Sequence, residues 1–146
     1  MTALLSFDPS VPNPDGEAAR VDAAVTQAGI DVSVLGLGPN GHLGFNEPGS
    51  GFKSRTRVVE LSEESIKSNA EYWGDKDQVP RRAFTLGLGT LASSKHTLLL
   101  VSGAHKAEIL AATLEGPQSP QVPATCLKSF RDVTVIADRS ALAAGD

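Results

Sequence analysis

The stretch from Val34 to Pro48, VLGLGPNGHLGFNEP, restricts the chain more than any other. An apolar run ends in glycines, and Gly41, Gly44 and Pro48 then recur too closely for a helix or strand to continue. Any fold of this chain must put a strand end here and continue into an irregular loop. That loop holds one histidine and one carboxylate, His42 and Glu47, which makes it the first candidate for a functional site.

The flanking segments say what kind of sheet the strand enters. Residues 1–14 contain three prolines and little periodicity, and read as an irregular lead-in. Asp15 is a plausible N-cap for a helix over 16–28, with Ala18, Val21, Ala24, Val25 and Ala28 at helical spacing and Gly29 as its stop. IDVSVLGLG then reads as a short buried strand. Past the loop, SRTRVVEL (54–61) reads as extended, and Ser62 opens a helix running to about Tyr72. GDKDQVP is a loop, RRAFTLGLGTLASS mixes a short strand with a turn, and HTLLLVSG is the clearest strand. AHKAEILAATLEG is helical with Gly116 as its stop, a helical piece covers about 124–130, and DVTVIAD (132–138) is a third buried strand.

Helices alternating with short apolar strands predict an α/β fold, a mostly parallel, Rossmann-like sheet with helices on both faces. Ligands of such sheets bind at the carboxyl ends of strands. Two strands here end in glycine followed by polar residues, LGLGPNGH and LVSGAHK. If they are neighbours, His42 and Lys106 approach one crevice.

A chain of 146 residues with 40% apolar and 21% charged residues suits one domain with a hydrophobic core. The net charge of −4, with 13 Lys and Arg spread along the chain, argues against a nucleic-acid partner. No apolar run is long enough for a membrane span. Cys126 is the single cysteine, so neither an internal disulfide nor a Cys-rich metal site is expected, and a reducing cytoplasm fits best. His42, His96 and His105 form no ligand pattern, so no metal is expected.

GLGPNG (36–41) fits the dinucleotide pattern G-x-G-x-x-G, and Glu60 even lies at about the right distance to bind a ribose. The pattern works only where its last glycines open a helix that holds the pyrophosphate. Here Gly44, Asn46, Pro48 and Gly49 fall where that helix would run, so no nucleotide cofactor is expected. His42 instead has Asn40 and Glu47 nearby to set its tautomer and tune its pKa, as acid–base chemistry requires. Lys106, just past the VSG turn, suits an anion. Arg55 and Arg57 could contact phosphate too, while Trp73 beside Tyr72 reads as packing.

GLGPNGHLGFNEPGSGFKSRTR resembles the glucosamine-6-phosphate deaminase (isomerase) family, within the sugar-phosphate group that includes 6-phosphogluconolactonase. The likeness continues through SNAEYW, QVPRRAFTLGLGTL, LLLVSGAHKAEIL, LEG and DVTVIADR, over about residues 15–140. The FNEP continuation favours the deaminases over the lactonases. The resemblance implies ring opening of an amino sugar phosphate, aldose–ketose isomerisation and loss of ammonia, with no cofactor. It implies catalytic roles for His42, Glu47 and Asn40, and a substrate-phosphate role for Lys106. Ser50 and Arg57 resemble part of an allosteric phosphate site of some members.

Three departures stand out. Asn40 replaces an Asp that many members have, Glu71 replaces a phosphate-binding Arg, and Val59 replaces the Lys that accompanies the allosteric site. Members are also almost twice this length, so the likeness covers a C-terminal portion only. The expectation is a lead-in at 1–14 that resembles a severed connection, followed by part of a deaminase-like domain at 15–146. The first strands, a phosphate-binding glycine loop and the carboxylate that moves a proton between C2 and C1 would then lie elsewhere. Such a partial sheet favours a homo-oligomer or association with the missing portion. Alternatives to the deaminase are a non-catalytic sugar-phosphate-binding domain, an enzyme for galactosamine 6-phosphate, and a 6-phosphogluconolactonase.

Overall fold

The computed structural model describes residues 4–143. Helix α1 spans Pro14–Ala28 and begins two residues before the position expected from the sequence. Its cap is Asn13, not Asp15: the Asn13 side chain accepts from Gly16 N, and Pro14 supplies a first-turn φ already suited to a helix. The irregular segment before it is tied down. Asp8 N donates to Glu17 (2.8 Å), Arg20 reaches Ser6 O (3.0 Å), and the rings of Phe7 and Phe84 stack with centroids 4.7 Å apart.

Strand β1 (Val32–Gly36) follows, then the long loop, strand β2 (Arg57–Glu60), helix α2 (Glu63–Trp73), strand β3 (Arg82–Thr85) and the single turn α3 (Leu88–Leu91). Strand β4 (His96–Val101), helix α4 (Ala107–Glu115), strand β5 (Val133–Ala137) and the turn α5 (Arg139–Leu142) complete the order. Three 3₁₀ segments lie between them, at Lys76–Gln78, Ala104–Lys106 and Pro123–Ser129.

The fold is α/β. Strands β1, β4 and β5 form a parallel sheet in the order β1-β4-β5, while β2 and β3 form a separate antiparallel pair. Because β1 and β4 pair in register, with Gly36 opposite Leu100, the two glycine-terminated strand ends are adjacent.

Side chains alternate across a strand, and the two faces of this sheet differ. Leu35, Leu99, Val101, Val133 and Val135 pack with Leu88, Leu91, Leu110, Ala124 and Leu127 in one core. On the opposite face Val32, Val34, Leu100 and Ile136 stay exposed, Val34 by 60%. The buried strands expected from the apolar runs are thus buried on one face among the described residues. An open hollow of about 500 Å³ beside β1 is lined mostly by apolar residues, Leu5, Val25, Val32, Val34 and Leu91 among them, with Asp31 and Ser33 as its polar members.

Asp22 of α1 joins the helix to the segment just before β2 and to α3. One of its oxygens accepts from Thr56 N (3.1 Å), from the Thr56 hydroxyl and from Thr90 Oγ1 (2.8 Å), and the other accepts two bonds from Arg55. Its side chain is 16% exposed. Burial alone would raise its pKa, but the Thr56, Thr90 and Arg55 bonds outweigh that and hold the carboxyl down at about 2. Arg55, a phosphate candidate in the sequence, is therefore occupied here.

The unfolded carboxyl, near 3.8, binds a proton before the folded one does. Its stabilisation is complete above that value and is lost as pH falls through about 2. Asp22→Ala should cost about 2 kcal/mol in denaturant unfolding at neutral pH, and the loss of stability between pH 4 and pH 2 should flatten correspondingly.

Candidate active site

From Leu37 to Thr56 the chain forms no helix or strand, only turns and one isolated bridge between Leu43 and Asn46. No helix opens behind GLGPNG, so the dinucleotide pattern has none of the geometry it needs. Two glycines set the shape instead. Gly41 has φ of 82°, a left-handed conformation that costs side-chain-bearing residues strain. A Cβ on Gly38 would lie 2.3 Å from the His42 ring, so only glycine lets the imidazole lie across the backbone there.

Asn40, His42 and Glu47 come together. His42 Nδ1 lies 2.7 Å from Asn40 Oδ1, and His42 N donates to the same oxygen at 3.2 Å. Asn40 Nδ2 donates to Glu47 Oε2 at 3.0 Å, and that oxygen is 3.5 Å from His42 Nδ1. Glu47 as a carboxylate can only accept, which orients the Asn40 amide with its oxygen toward the ring. That oxygen in turn requires a proton on Nδ1. Nε2 is left bare, with no partner among the described residues.

His42 is held below the ordinary histidine pKa by burial first, with the Glu47 charge opposing and the Lys106 charge assisting. The imidazole is thus neutral at neutral pH. Burial pushes the Glu47 carboxyl up, but bonds from Ser65, Asn40 and Ser62 outweigh it and keep Glu47 below the usual carboxylate range. Ser62 and Ser65, which bond the other Glu47 oxygen from the start of α2, carried no signal in the sequence beyond helix initiation.

Lys106 closes the far side. It ends the 3₁₀ turn before α4, rather than lying within that helix, and its Nζ donates to Leu37 O at 2.7 Å. Asp138 supports this turn by accepting from Ser102 Oγ (2.6 Å) and Gly103 N (3.0 Å). Residues Gly36–Pro39, His42, Ser68, Asn69, Tyr72 and Lys106 enclose a crevice of about 390 Å³, within the range of small-molecule sites.

Tyr72 is 85% exposed and Trp73 50%, so the expected packing of this pair is corrected: Tyr72 instead walls the crevice. Glu71 is exposed on α2 and does not line it. Arg57 and Ser50 lie apart from His42, beside a second hollow that also includes Val59 and Glu60. Arg57 is spent internally, donating to Asn46 Oδ1 (2.9 Å) and Ser50 Oγ (3.1 Å). Cys126 is buried and its thiol pushed up to about 12, an inert core group. Among the described residues no group of His, Cys, Asp and Glu could hold a metal ion, and no helix is long and apolar enough to cross a membrane.

The sequence profile of the Glucosamine-6-phosphate isomerases/6-phosphogluconolactonase family matches residues 3–136. The chain belongs to this family. It is 47% identical over 133 residues to the glucosamine-6-phosphate deaminase of Bacillus velezensis, covering 90% of this chain and 55% of that protein. The deaminase of Rhodococcus opacus is 44% identical over 146 residues, covering 94% and 56%. The solved structure of a monomeric glucosamine-6-phosphate deaminase superposes with a TM-score of 0.88 at 45% identity, over 90% of this chain and 55% of that one. The 6-phosphogluconolactonase from Trypanosoma cruzi shares the fold, with a TM-score of 0.65 at 19% identity over 88% and 51%. The chain thus spans about half the length of the curated relatives it matches.

Gly38→Ala should displace the imidazole from its buried place. Followed by NMR against pH, the His42 midpoint should rise toward the ordinary 6.5, because burial is what depresses it.

Proposed function

We propose that this chain carries the ring-opening site of an amino sugar phosphate deaminase, a hydrolase and isomerase converting glucosamine 6-phosphate and water to fructose 6-phosphate and ammonia. The observation that supports it most is the bare, neutral Nε2 of His42 in the same crevice as the Lys106 ammonium. Opening a pyranose needs a group that takes a proton from the anomeric hydroxyl and returns one to the ring oxygen. A neutral imidazole with a pKa below that of ordinary histidine can do both near neutral pH. Glu47 and Asn40 hold its other nitrogen, which keeps one tautomer through both transfers.

Lys106 spends one of three ammonium protons on Leu37 O, leaving two for a phosphate. Ser68, Asn69 and Tyr72 offer further polar contacts to a sugar. Ser50 and Arg57 are a weaker candidate for a separate phosphate contact, since the Arg57 guanidinium already serves Asn46 and Ser50. A cytoplasmic location fits a free buried Cys126. The exposed apolar sheet face supports association with further polypeptide, either a second copy or the portion that the longer relatives carry.

One observation favours a second reading. No carboxylate lines the crevice, so the proton transfer between C2 and C1 has no base among these residues. A domain that binds and opens the sugar phosphate without completing deamination is consistent with that.

Three measurements test the proposal. Ammonia release from glucosamine 6-phosphate should fall at least ~10²-fold in His42→Ala, the usual scale of a lost general acid–base group. The acid limb of activity should lie below 6.5, in line with the lowered His42 pKa. Binding of glucosamine 6-phosphate should also perturb the NMR signals of His42 and Lys106. Turnover that survives His42→Ala, or a sugar phosphate that leaves both residues unperturbed, overturns the proposal. Binding without ammonia release selects the second reading.

A further inference from the structure

The helix that walls the crevice also grips the carboxylate behind the histidine. In α2, Ser65, Ser68, Asn69 and Tyr72 recur at helical spacing and so share one side. Ser68, Asn69 and Tyr72 line the crevice, while Ser65, fully buried, turns its hydroxyl to Glu47 Oε1. Ser62, one turn earlier, donates to the same oxygen at 3.0 Å while accepting from Ser65 N at 3.1 Å as the helix cap. A serine hydroxyl has one proton to give, and both serines give theirs to Glu47. Glu47 Oε2 is left for Asn40, and Asn40 Oδ1 for His42.

We propose that Ser65, seconded by Ser62, is the positioning residue of this acid–base site: it fixes Glu47 from α2 and, through Asn40, the ring of His42. The inference deepens the ring-opening reading and rests on it for the role of His42. It follows from the division of the carboxylate. One oxygen bound twice from α2 cannot rotate, so the other stays on Asn40, and the amide stays oriented with its oxygen to the imidazole. Without these donors Glu47 is free to turn toward the hollow on its other side, where it lies beside Arg57 and Glu60 of β2. The remaining charges that act on this group of residues are Glu64 of α2 and Lys106, both felt at His42. None of them replaces a hydroxyl at Oε1.

The test reads the carboxylate itself and needs no turnover. In the full chain, the Glu47 side-chain carboxyl carbon is followed by NMR against pH, together with solvent exchange of the Asn40 side-chain amide protons. Ser65→Ala should raise the Glu47 midpoint and speed Asn40 exchange, while Ser65→Thr, which keeps a hydroxyl, should restore both. Ser62→Gly removes the second donor and should move both readouts in the same direction, glycine being nearly as good a helix cap as serine. It also serves if Ser65→Ala does not fold, which circular dichroism of α2 would reveal. A Glu47 midpoint and Asn40 exchange unchanged in a folded Ser65→Ala or Ser62→Gly chain overturn the proposal. A chain that shows these shifts but neither binds nor turns over glucosamine 6-phosphate overturns the ring-opening reading and leaves the positioning of Glu47 standing.

Discussion

The side chain of Asn46 holds the site loop in place. It is fully buried in a segment without regular structure, where backbone groups have no ladder to join and must be satisfied one by one. Its Nδ2 donates to Leu43 O within the loop and to Leu86 O just past β3, each at 2.8 Å, and its Oδ1 accepts from Arg57 at the start of β2. Phe45 N bonds Thr85 Oγ1 beside it. One amide thus pins the loop to both strands of the antiparallel pair. Removing it would take one hydrogen bond each from Leu43 O, Leu86 O and the Arg57 guanidinium, a cost of about 0.5–1.5 kcal/mol apiece. Because Glu47 is the next residue, its reach toward Asn40 and α2 is set by that anchor.

The polarity of the site depends on the group beside the imidazole. An aspartate at position 40 would put a second negative charge within hydrogen-bond distance of Nδ1 and favour the imidazolium. Asn40 supplies the same acceptor without the charge, and Glu47 lies further off at 3.5 Å with its own bonds already made. Burial then decides the balance, and His42 stays neutral. With asparagine here, a proton acceptor stays available at lower pH, with a weaker hold on the proton once taken.

What could be read from the sequence was local. Glycine after β1 and β4, the helix stops at Gly29 and Gly116, and Ser62 as a cap depend on a few neighbouring residues, and the structure has them. The sequence leaves the pairing of β1 with β4 a condition, and the register supplies it, bringing His42 and Lys106 to one crevice. Asp22 with Thr90, Asn46 with Leu86, and Glu47 with Ser65 were not legible, because each joins residues 18 to 68 positions apart through polar side chains that leave no periodic trace. Nor can a short, wholly apolar run reveal that only one of its faces is covered. Val32 and Val34 look the same in the sequence as Leu99 and Val101, yet only the latter pair lies in the core.

The placement of Lys106 shows why the crevice forms where it does. Parallel neighbours end at the same level, so the loops after β1 and β4 leave the sheet side by side and part to opposite walls. The carbonyl of Leu37, just beyond β1, has no strand partner there, and Lys106 Nζ bonds it from across the gap. That bond ties the two strand ends together and holds an ammonium, partly stripped of water, in the wall of the crevice, where burial lowers its pKa. A cation so placed is restrained before any ligand arrives, which reduces the entropy an anion must overcome in binding. Asp138, by fixing Ser102 and Gly103 at the end of β4, aims the turn that carries it. The same adjacency of β1 and β4 therefore builds the sheet, opens the crevice and sets its positive group opposite His42.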